Sequence, residues 1–566
     1  MVNKILEKRR EQMFPKLTPA QMARLEAHGR RVETRAGEVL LELGARPRNI
    51  FIVLAGSLEI LLHATIGGES VYLLTSGDFS GEMSTLKGSV SLARIRVREG
   101  GAVAALDTDK LREIVQTDAE LSELLMRAFI LRRVALISDE NPDVMLLGSR
   151  HSADTLRLRE FLTRNGYPHA NLEVESDAEV QALFDRFHIG LEDIPVVICR
   201  GDQIFRNPSN AAIAESLGIN PLLDDTRVHD LVIVGAGPAG LGAAVYAASE
   251  GLDVRMLEAI APGGQAGTSS RIENYLGFPT GISGQALAGR ALSQAQKFGA
   301  NLSVATAAVS LNCTTSPYRV LLTDGNLVSA SVVLVTTGAQ YRLLDIENIG
   351  RFMGTGVYYA ATHLEATLCQ GEEVIVVGGG NSAGQAAVFL ASSSRRVHIL
   401  VRSSGLADSM SRYLIRRIEE SPNINLHTHT QLTALHGTDR LERVAWQSGG
   451  ETEQQWHDVS HVFLMTGASP NTQWLQGCVA LDTGGFVKTG ADLSSDDLAA
   501  TRWPLRRSPY LLETSLPGVF AAGDVRCGSV KRIASAVGEG AMCVQFVHRA
   551  LGELSVSAQE RVAVPG

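Results

Sequence analysis

A strand, a glycine turn and the start of a helix occur twice in this chain. The first copy reads Leu231-Val-Ile-Val-Gly235-Ala-Gly237-Pro238-Ala239-Gly240 and runs into an alanine-rich stretch; the second reads Val374-Ile-Val-Val-Gly378-Gly-Gly380-Asn381-Ser382-Ala383. Each glycine of such a turn has its own task. The first makes the tight turn, the second lets the backbone approach a pyrophosphate, and the third permits close packing of helix on strand. The helix N-terminus then offers unpaired N–H groups and the positive end of its dipole to the anion. An ordinary glycine-rich turn would lack the strand before it and the helix after it. Two such units predict two Rossmann-like, three-layer (ββα) nucleotide-binding domains in the C-terminal part of the chain.

The two copies differ at one informative position. Glu258 closes the strand that follows the first turn, 23 residues after Gly235, where an acid binds ribose hydroxyls. The same place in the second copy holds Val401, followed by Arg402. No carboxylate repels a 2′-phosphate there, and an arginine is at hand to pair with it. The second site is therefore expected to take NADPH in preference to NADH, although a solvated strand end would also hold an arginine.

At 566 residues, 45% hydrophobic and 20% charged, the chain has the composition of ordered globular domains, with room for about three or four of them. A net charge of −9 argues against a nucleic-acid or anionic-membrane binder. Residues 231–249 and 374–394 are uncharged and near span length, but each is a strand, a turn and a helix start run together. In lipid the turn would leave backbone groups unsatisfied, so no membrane span is expected. The N-terminus has no apolar signal region. The six cysteines form no C-x-x-C pair. Neither a disulfide framework nor a metal site is expected, and a reducing cytoplasm suits the chain.

Ahead of the glycine motifs lie two further blocks. Residues 17–138 are rich in short β-patterned runs, Asn49–Leu62 among them, and turn helical over 108–135, as in a β-roll with helices. Residues 143–218 alternate: a strand at Val144, helices over 152–165 and 177–188, and a strand Pro195-Val-Val-Ile, a small α/β pattern.

The C-terminal block resembles the low-molecular-weight thioredoxin reductases. Gly263-Gly264-Gln265, Glu273-Asn274-Tyr-Leu-Gly-Phe-Pro279, Thr337-Gly338, Thr466-Gly467, Gly523-Asp524 and Arg532-Ile533-Ala534 match segments of that family. The resemblance implies a discontinuous FAD-binding domain, 228–347 plus 468–566, around an NAD(P)H-binding domain, 348–467, and a homodimer. It assigns FAD contacts to Gly235, Gly237, Pro238, Ala239, Gly240, Glu258, Gly263, Gly264, Gln265, Asn274, Gly338, Gly523, Asp524, Arg532, Ile533 and Ala534. NADPH contacts fall to Gly378, Gly380, Asn381, Ser382, Ala383, Arg402 and Gly467. The family's redox dithiol lies in Cys-Ala-Thr-Cys-Asp; here that stretch reads Ala360-Ala361-Thr362-His363-Leu364. Dithiol exchange needs one thiolate to attack and a second thiol to resolve, and neither is present. His363 is a candidate proton donor near the flavin; filling space there is the plainer role.

Residues 143–222 resemble a thioredoxin or glutaredoxin domain, with Ile194-Pro195 at the family's cis-proline and no thiol at the C-x-x-C place, Gly148 to Ser152. Such a module is a spacer or a docking unit. Residues 1–140 resemble a cyclic-nucleotide-binding domain, with Gly81 and Glu82 in its phosphate cassette. The family's phosphate arginine is replaced around Ser91 and Leu92, and Arg94 is the nearest basic residue. A domain that has lost or changed its cyclic nucleotide is favoured, and no helix-turn-helix follows it. Taken together the residues predict an FAD-dependent NAD(P)H oxidoreductase that passes electrons to an acceptor such as a quinone, a flavin, a carrier protein or an external disulfide. The rivals are a flavin-containing sensor with little turnover and an active thioredoxin-disulfide reductase.

Overall fold

The computed structural model describes residues 9–62, 70–137, 144–149, 152–173, 190, 193–199, 203–224, 226–269, 271–341, 344–359, 361, 363–438, 440–449, 454–466 and 468–562. Two short helices, α1 (Arg10–Met13) and α2 (Pro19–His28), lead into an antiparallel roll. A capping box between Thr18 and Gln21 starts α2. The roll comprises β1 (Arg30–Thr34), β2 (Val39–Leu41), β3 (Asn49–Leu62), β4 (Ser70–Thr75) and β5 (Arg94–Asp107), in the order β1-β5-β3-β4 with β2 against β5. Helices α3 (Met83–Lys87), α4 (Thr108–Thr117) and α5 (Ala119–Ile137) close it. Leu121, Leu125 and Phe129 of α5 pack on Ile50, Phe79 and Leu106. Arg132 is buried in that seam and donates to the carbonyls of Met13 (3.0 Å) and Gly81 (2.8 Å). Burial pulls its pKa down to about 10.

A four-stranded sheet follows: β6 (Val144–Gly148), β7 (Ala170–Glu173), β8 (Val196–Cys199) and β9 (Gln203–Arg206), ordered β7-β6-β8-β9. β6 and β7 are parallel; β8 is antiparallel to both β6 and β9. Helix α6 (Ala153–Arg164) connects β6 to β7, α7 (Asn210–Ser216) follows β9, and the Ile194–Pro195 peptide is cis. The helix predicted over 177–188 lies outside the described residues.

The remaining chain forms two α/β units. In the first, β10 (Val228–Val234), β11 (Val254–Leu257) and β12 (Asn301–Ser303) run parallel, and β13 (Ala308–Asn312), β14 (Tyr318–Leu322) and β15 (Leu327–Val335) form an antiparallel arm; β15 is parallel to β10. Helices α8 (Pro238–Ser249) and α9 (Gly284–Lys297) cover one face. The chain leaves through β16 (Ala339–Tyr341) into a parallel sheet of β17 (Val357–Tyr358), β18 (Glu373–Val377), β19 (Arg396–Leu400), β20 (Ile424–His427) and, later in the chain, β24 (Val462–Leu464). Helices α10 (His363–Leu368), α11 (Asn381–Leu390) and α12 (Arg412–Glu419) belong to this unit, as does the meander β21 (Thr430–His436), β22 (Arg443–Ser448), β23 (Gln455–His457). The chain returns through β25 (Ala468–Pro470), antiparallel to β16. It then adds α13 (Ser495–Ala500), β26 (Val519–Ala521) beside β15, and α14 (Ile533–Val562), which packs along α8. Both uncharged stretches are strand, turn and helix, and among the described residues no helix is long and apolar enough to cross a membrane.

The cysteines need a correction. Cys313, just after β13, and Cys478, shortly after the return strand β25, are disulfide-bonded, with Cα atoms 5.8 Å apart. A search for close pairs misses it because 165 residues separate the partners and only the fold makes them neighbours. Cys199, Cys369 and Cys543 are buried free thiols, and Cys527 is half-buried.

The second α/β unit also holds an imidazole cluster. His398 Nδ1 and His427 Nε2 share a hydrogen bond of 3.0 Å, His398 Nε2 lies 3.3 Å from Glu373, and Trp446 stacks on His457. Burial holds all three imidazoles below their usual value.

Candidate active site

The first glycine turn is built by contact. A Cβ on Gly235 (φ +109°) would lie 2.3 Å from the Thr336 carbonyl oxygen, and one on Gly240 would lie 2.0 Å from the Gly235 oxygen. Gly237, the N-cap of α8, is different: its φ is −71° and an added Cβ would meet nothing within 4 Å. The backbone is thus bare where a phosphate would approach the helix N-terminus. Gly264 (φ +53°) roofs this turn, its Cβ position 3.1 Å from Gly237 Cα, and Gly263 N–H donates to the Ala236 carbonyl at 2.7 Å. Gln265 ties the roof to the crossing strand β16 by donating to the Ala339 carbonyl. A Cβ on Gly523 would come within 3.0 Å of the Ala239 methyl. Gly523 N–H is held by Glu539 (2.7 Å), itself paired with Arg526 (2.7 Å).

Two carboxylates lie around this cradle. Glu258 accepts from the N–H groups of Ala236 (2.7 Å) and Ile260 (3.0 Å), and burial raises its pKa against those bonds. Burial also raises Asp524, partly offset by Lys531. A ligand rich in hydroxyls offsets the desolvation of both. Ile533, at the start of α14, lines an apolar cavity of about 150 Å³ with Pro238, Leu241, Gly263, Tyr275 and Leu287. Arg532 accepts the Ala536 N–H at its carbonyl, and Ala534 sits in the first turn of α14. Gly338 (φ +64°) stands at the crossing, where Thr337 Oγ1 donates to the Asn471 carbonyl (2.7 Å) and Asn471 Nδ2 to the Thr337 carbonyl (2.8 Å). Asn274 is exposed in the loop pinned by the Ile272–Ile282 bridge. Its neighbour Glu273 pairs with Arg417 of α12 at 2.5 Å, linking the two α/β units. A bare helix N-terminus, a glycine roof and two carboxylates fit FAD.

The second turn repeats the pattern. A Cβ on Gly378 (φ +139°) would lie 2.2 Å from the Met465 oxygen, whereas Gly380, the N-cap of α11, has its nearest neighbour, the Ser409 oxygen, at 4.0 Å. Asn381 Oδ1 accepts from Ser411 N–H at 2.8 Å; Ser382 is exposed and Ala383 buried. Val401 is 2% exposed, buried in the core, and Arg402 is exposed with no ion pair among the described residues. Gly467, Ala360 and Thr362 lie outside the described residues. His363 opens α10, and its side chain is likewise outside them.

In the N-terminal roll Gly81 (φ +104°) has no room for a side chain beside Ile50 and Phe129. Glu82 caps α3, accepting from Ser84 N–H at 2.9 Å; its other oxygen is buried without a hydrogen bond, 3.8 Å from Arg133. Burial pulls nearby Lys87 down to about 8. Arg94 pairs with exposed Glu42 at 2.8 Å, and Ser91, near the place of the missing arginine, donates to the Ala93 carbonyl.

Three residues around the first cradle escape sequence reasoning. Thr336 Oγ1 donates to the Gly235 carbonyl (2.7 Å), Glu539 holds Gly523, and Arg164 of α6 donates to the Gly264 carbonyl at 2.8 Å. Thr336 adjoins the Thr337-Gly338 motif and was within reach; the other two come from distant segments with no motif of their own.

The family model for pyridine nucleotide-disulphide oxidoreductases matches residues 229–540, more than half of the chain. The chain belongs to the pyridine nucleotide-disulphide oxidoreductases. It is accordingly a flavin-dependent NAD(P)H oxidoreductase by family. A cyclic nucleotide-binding domain model matches residues 31–118. The oxidoreductase part is similar to the thioredoxin reductase of Mycolicibacterium smegmatis, 31% identical over 327 residues, covering 58% of this chain and 97% of that one. It is also 32% identical over 336 residues to NADPH-dependent thioredoxin reductase 3 of Arabidopsis thaliana, covering 57% of this chain but only 58% of that protein. Among solved structures, thioredoxin reductase from Lactococcus lactis aligns with a TM-score of 0.51 at 25% identity, covering 57% of this chain and 99% of the other. That from T. acidophilum gives 0.50 at 29%, covering 58% and 99%.

Proposed function

We propose that this oxidoreductase binds FAD at Gly235–Gly240 and NADPH at Gly378–Ala383, and delivers electrons to an acceptor without a flavin-proximal dithiol. The observation that carries this reading is the pair of bare helix N-terminal cradles, combined with Ala360 and His363 at the places where the resemblance puts the family's cysteines. FAD, when bound, supplies the acceptor for hydride, and hydride chemistry needs no protein thiol. The protein's own part is to hold both nucleotides. Glu258 and Asp524 accept hydroxyls, the N-termini of α8 and α11 receive phosphates, and Arg402 favours the 2′-phosphate. The acceptor is of the quinone, flavin, carrier-protein or external-disulfide class.

The same reading takes 228–347 and 468–566 as the FAD domain, 348–467 as the NAD(P)H domain, and the whole as a cytoplasmic homodimer. Residues 143–222 are proposed to be a thioredoxin-like module without thiols, a reading supported by the strand order β7-β6-β8-β9 and the cis Ile194–Pro195 peptide. The N-terminal roll is proposed as a regulatory or docking domain.

Anaerobic mixing with NADPH tests the central claim. Loss of flavin absorbance within seconds is expected. An oxidised spectrum after minutes would overturn it and leave a flavin-containing sensor. NADPH-dependent reduction of thioredoxin, with a thiolate charge-transfer band, would instead show a thioredoxin-disulfide reductase.

A further inference from the structure

The C-terminal end of α6 is held from two sides. On one side, Arg133 of α5 donates to the Gly166 carbonyl at 2.8 Å. On the other, Gln285 of α9 donates to the Thr163 carbonyl (2.9 Å), Asn165 to the Ile260 carbonyl (3.2 Å), and Arg164 to the Gly264 carbonyl (2.8 Å). Gly264 is the residue that roofs Gly237. We propose that Arg164 is a positioning residue of the FAD cradle, supplied by the thiol-free module and not by the nucleotide domain itself; the inference rests on the FAD reading above.

The geometry asks for more than a docking contact. The Arg164 side chain is only 12% exposed, its Nη1 is paired with Glu160 at 2.9 Å, and its Nε is buried without a hydrogen bond. Burying a guanidinium with one N–H unsatisfied costs stability unless its charge is used. That charge already acts on Glu258, favouring the carboxylate against the effect of burial. Nη2 also faces the turn beyond Gly264, 3.6 Å from where a Gly267 side chain would begin. The residue therefore has two effects on the cradle. It fixes the left-handed Gly264 over Gly237, and it places a cation beside a site shaped for a pyrophosphate. The reach to the carbonyl belongs to Nη2 at the far end of the side chain, so a shorter neutral amide would supply neither the contact nor the field.

FAD affinity of the full-length holoenzyme tests this, read from the fluorescence of cofactor released on dilution. R164M is expected to weaken FAD binding about tenfold at low ionic strength, with the difference shrinking at about 1 M salt as the charge is screened. R164K is expected to stay within about threefold of the wild type, and N165A, which removes a docking bond but no charge, within about twofold. R164Q keeps a polar side chain but loses the charge and, two bonds shorter, the reach of Nη2 to the Gly264 carbonyl, and it carries the test if R164M does not fold. R164M or R164Q binding FAD as the wild type does, or R164K binding as weakly as R164M, would overturn the proposal while leaving the FAD reading intact. A wild type that takes up no FAD overturns both.

Discussion

Gly237 and Gly240 belong to one turn, yet alanine should act on them in opposite ways. At Gly240 the new methyl would lie 2.0 Å from the Gly235 oxygen and 2.7 Å from Thr336 Oγ1. An ordinary carbon–oxygen contact is about 3.2–3.5 Å, so the overlap exceeds about 1 Å. Neither side yields easily, because Gly235 is itself pinned under Thr336 and α8 packs along α14. Overpacking of this kind costs about 1–3 kcal/mol, which lowers the melting temperature of a unit this size by about 2–4 °C per kcal/mol. At Gly237 the backbone is at φ −71°, ψ −175°, which alanine adopts freely, and the methyl meets nothing. There the flavin-free protein should gain about 0.4–1 kcal/mol by restriction of the unfolded chain. The methyl does fill the approach of a phosphate to the helix N–H groups. Losing one charge-assisted hydrogen bond weakens FAD binding by about 1.5–3 kcal/mol, roughly 10–100-fold. The assay is calorimetric melting of flavin-free protein together with FAD titration. G240A should lower both stability and affinity, and G237A affinity alone. A G237A protein with wild-type FAD affinity would show that no phosphate approaches this turn, and a G240A protein with unchanged melting would refute the packing argument.

R402A should lower the rate constant for flavin reduction per unit NADPH about tenfold and leave NADH unchanged, measured by stopped flow; equal loss with both nucleotides would discard Arg402 as the phosphate reader. The buried imidazoles set a pH dependence. With His398, His427 and His457 held below the usual value, the unfolded chain gains protons first, so stability should fall as pH drops below about 6.5 and be constant above it. Glu373 on β18 and Asp458 beside His457 oppose this trend and Arg396 favours it. Urea unfolding followed by tryptophan fluorescence at pH 5.5 and 7.5 should show the gap in the wild type and a smaller one in H427Q; equal wild-type midpoints would refute the reading. Calorimetric titration of cAMP or cGMP at about 100 μM should give no binding heat, since Ser91 and Leu92 replace the phosphate arginine; a saturable isotherm would contradict this. Thiol counting in denaturant should find four free thiols before reduction and six after it; six at the outset would remove the disulfide.

The local part of the fold was legible. Both nucleotide turns could be read because every constraint on Gly235, Gly240 and Gly378 comes from the strand and helix that flank it or from a strand laid beside it. Glu258 and Val401 can be compared for the same reason: the position after the second strand is set by the repeat. The crossing strands β16 and β25 directly follow Thr337-Gly338 and Thr466-Gly467, two of the short segments that match the family. What stayed hidden depends on tertiary approach. Arg164 reaches Gly264 across 100 residues and a module boundary, and nothing in its own helix marks it. Glu539 is an ordinary helical glutamate until Gly523 arrives beside it. Arg94, chosen as the nearest basic residue, instead pairs with Glu42, while Arg133, far along the chain, lies near Glu82.

The bond between Cys313 and Cys478 turns part of the polypeptide into a closed ring. Everything from β14 through β25 lies on that ring, so the whole second α/β unit is threaded between two points stitched to each other on the first. Cleavage at any single peptide bond in that span leaves one covalent molecule, which keeps its mass on a non-reducing gel and divides into two only when a reductant is added. A protease that nicks the second unit therefore cannot detach it, and thiol status, more than backbone integrity, decides whether the two nucleotide sites stay on one chain.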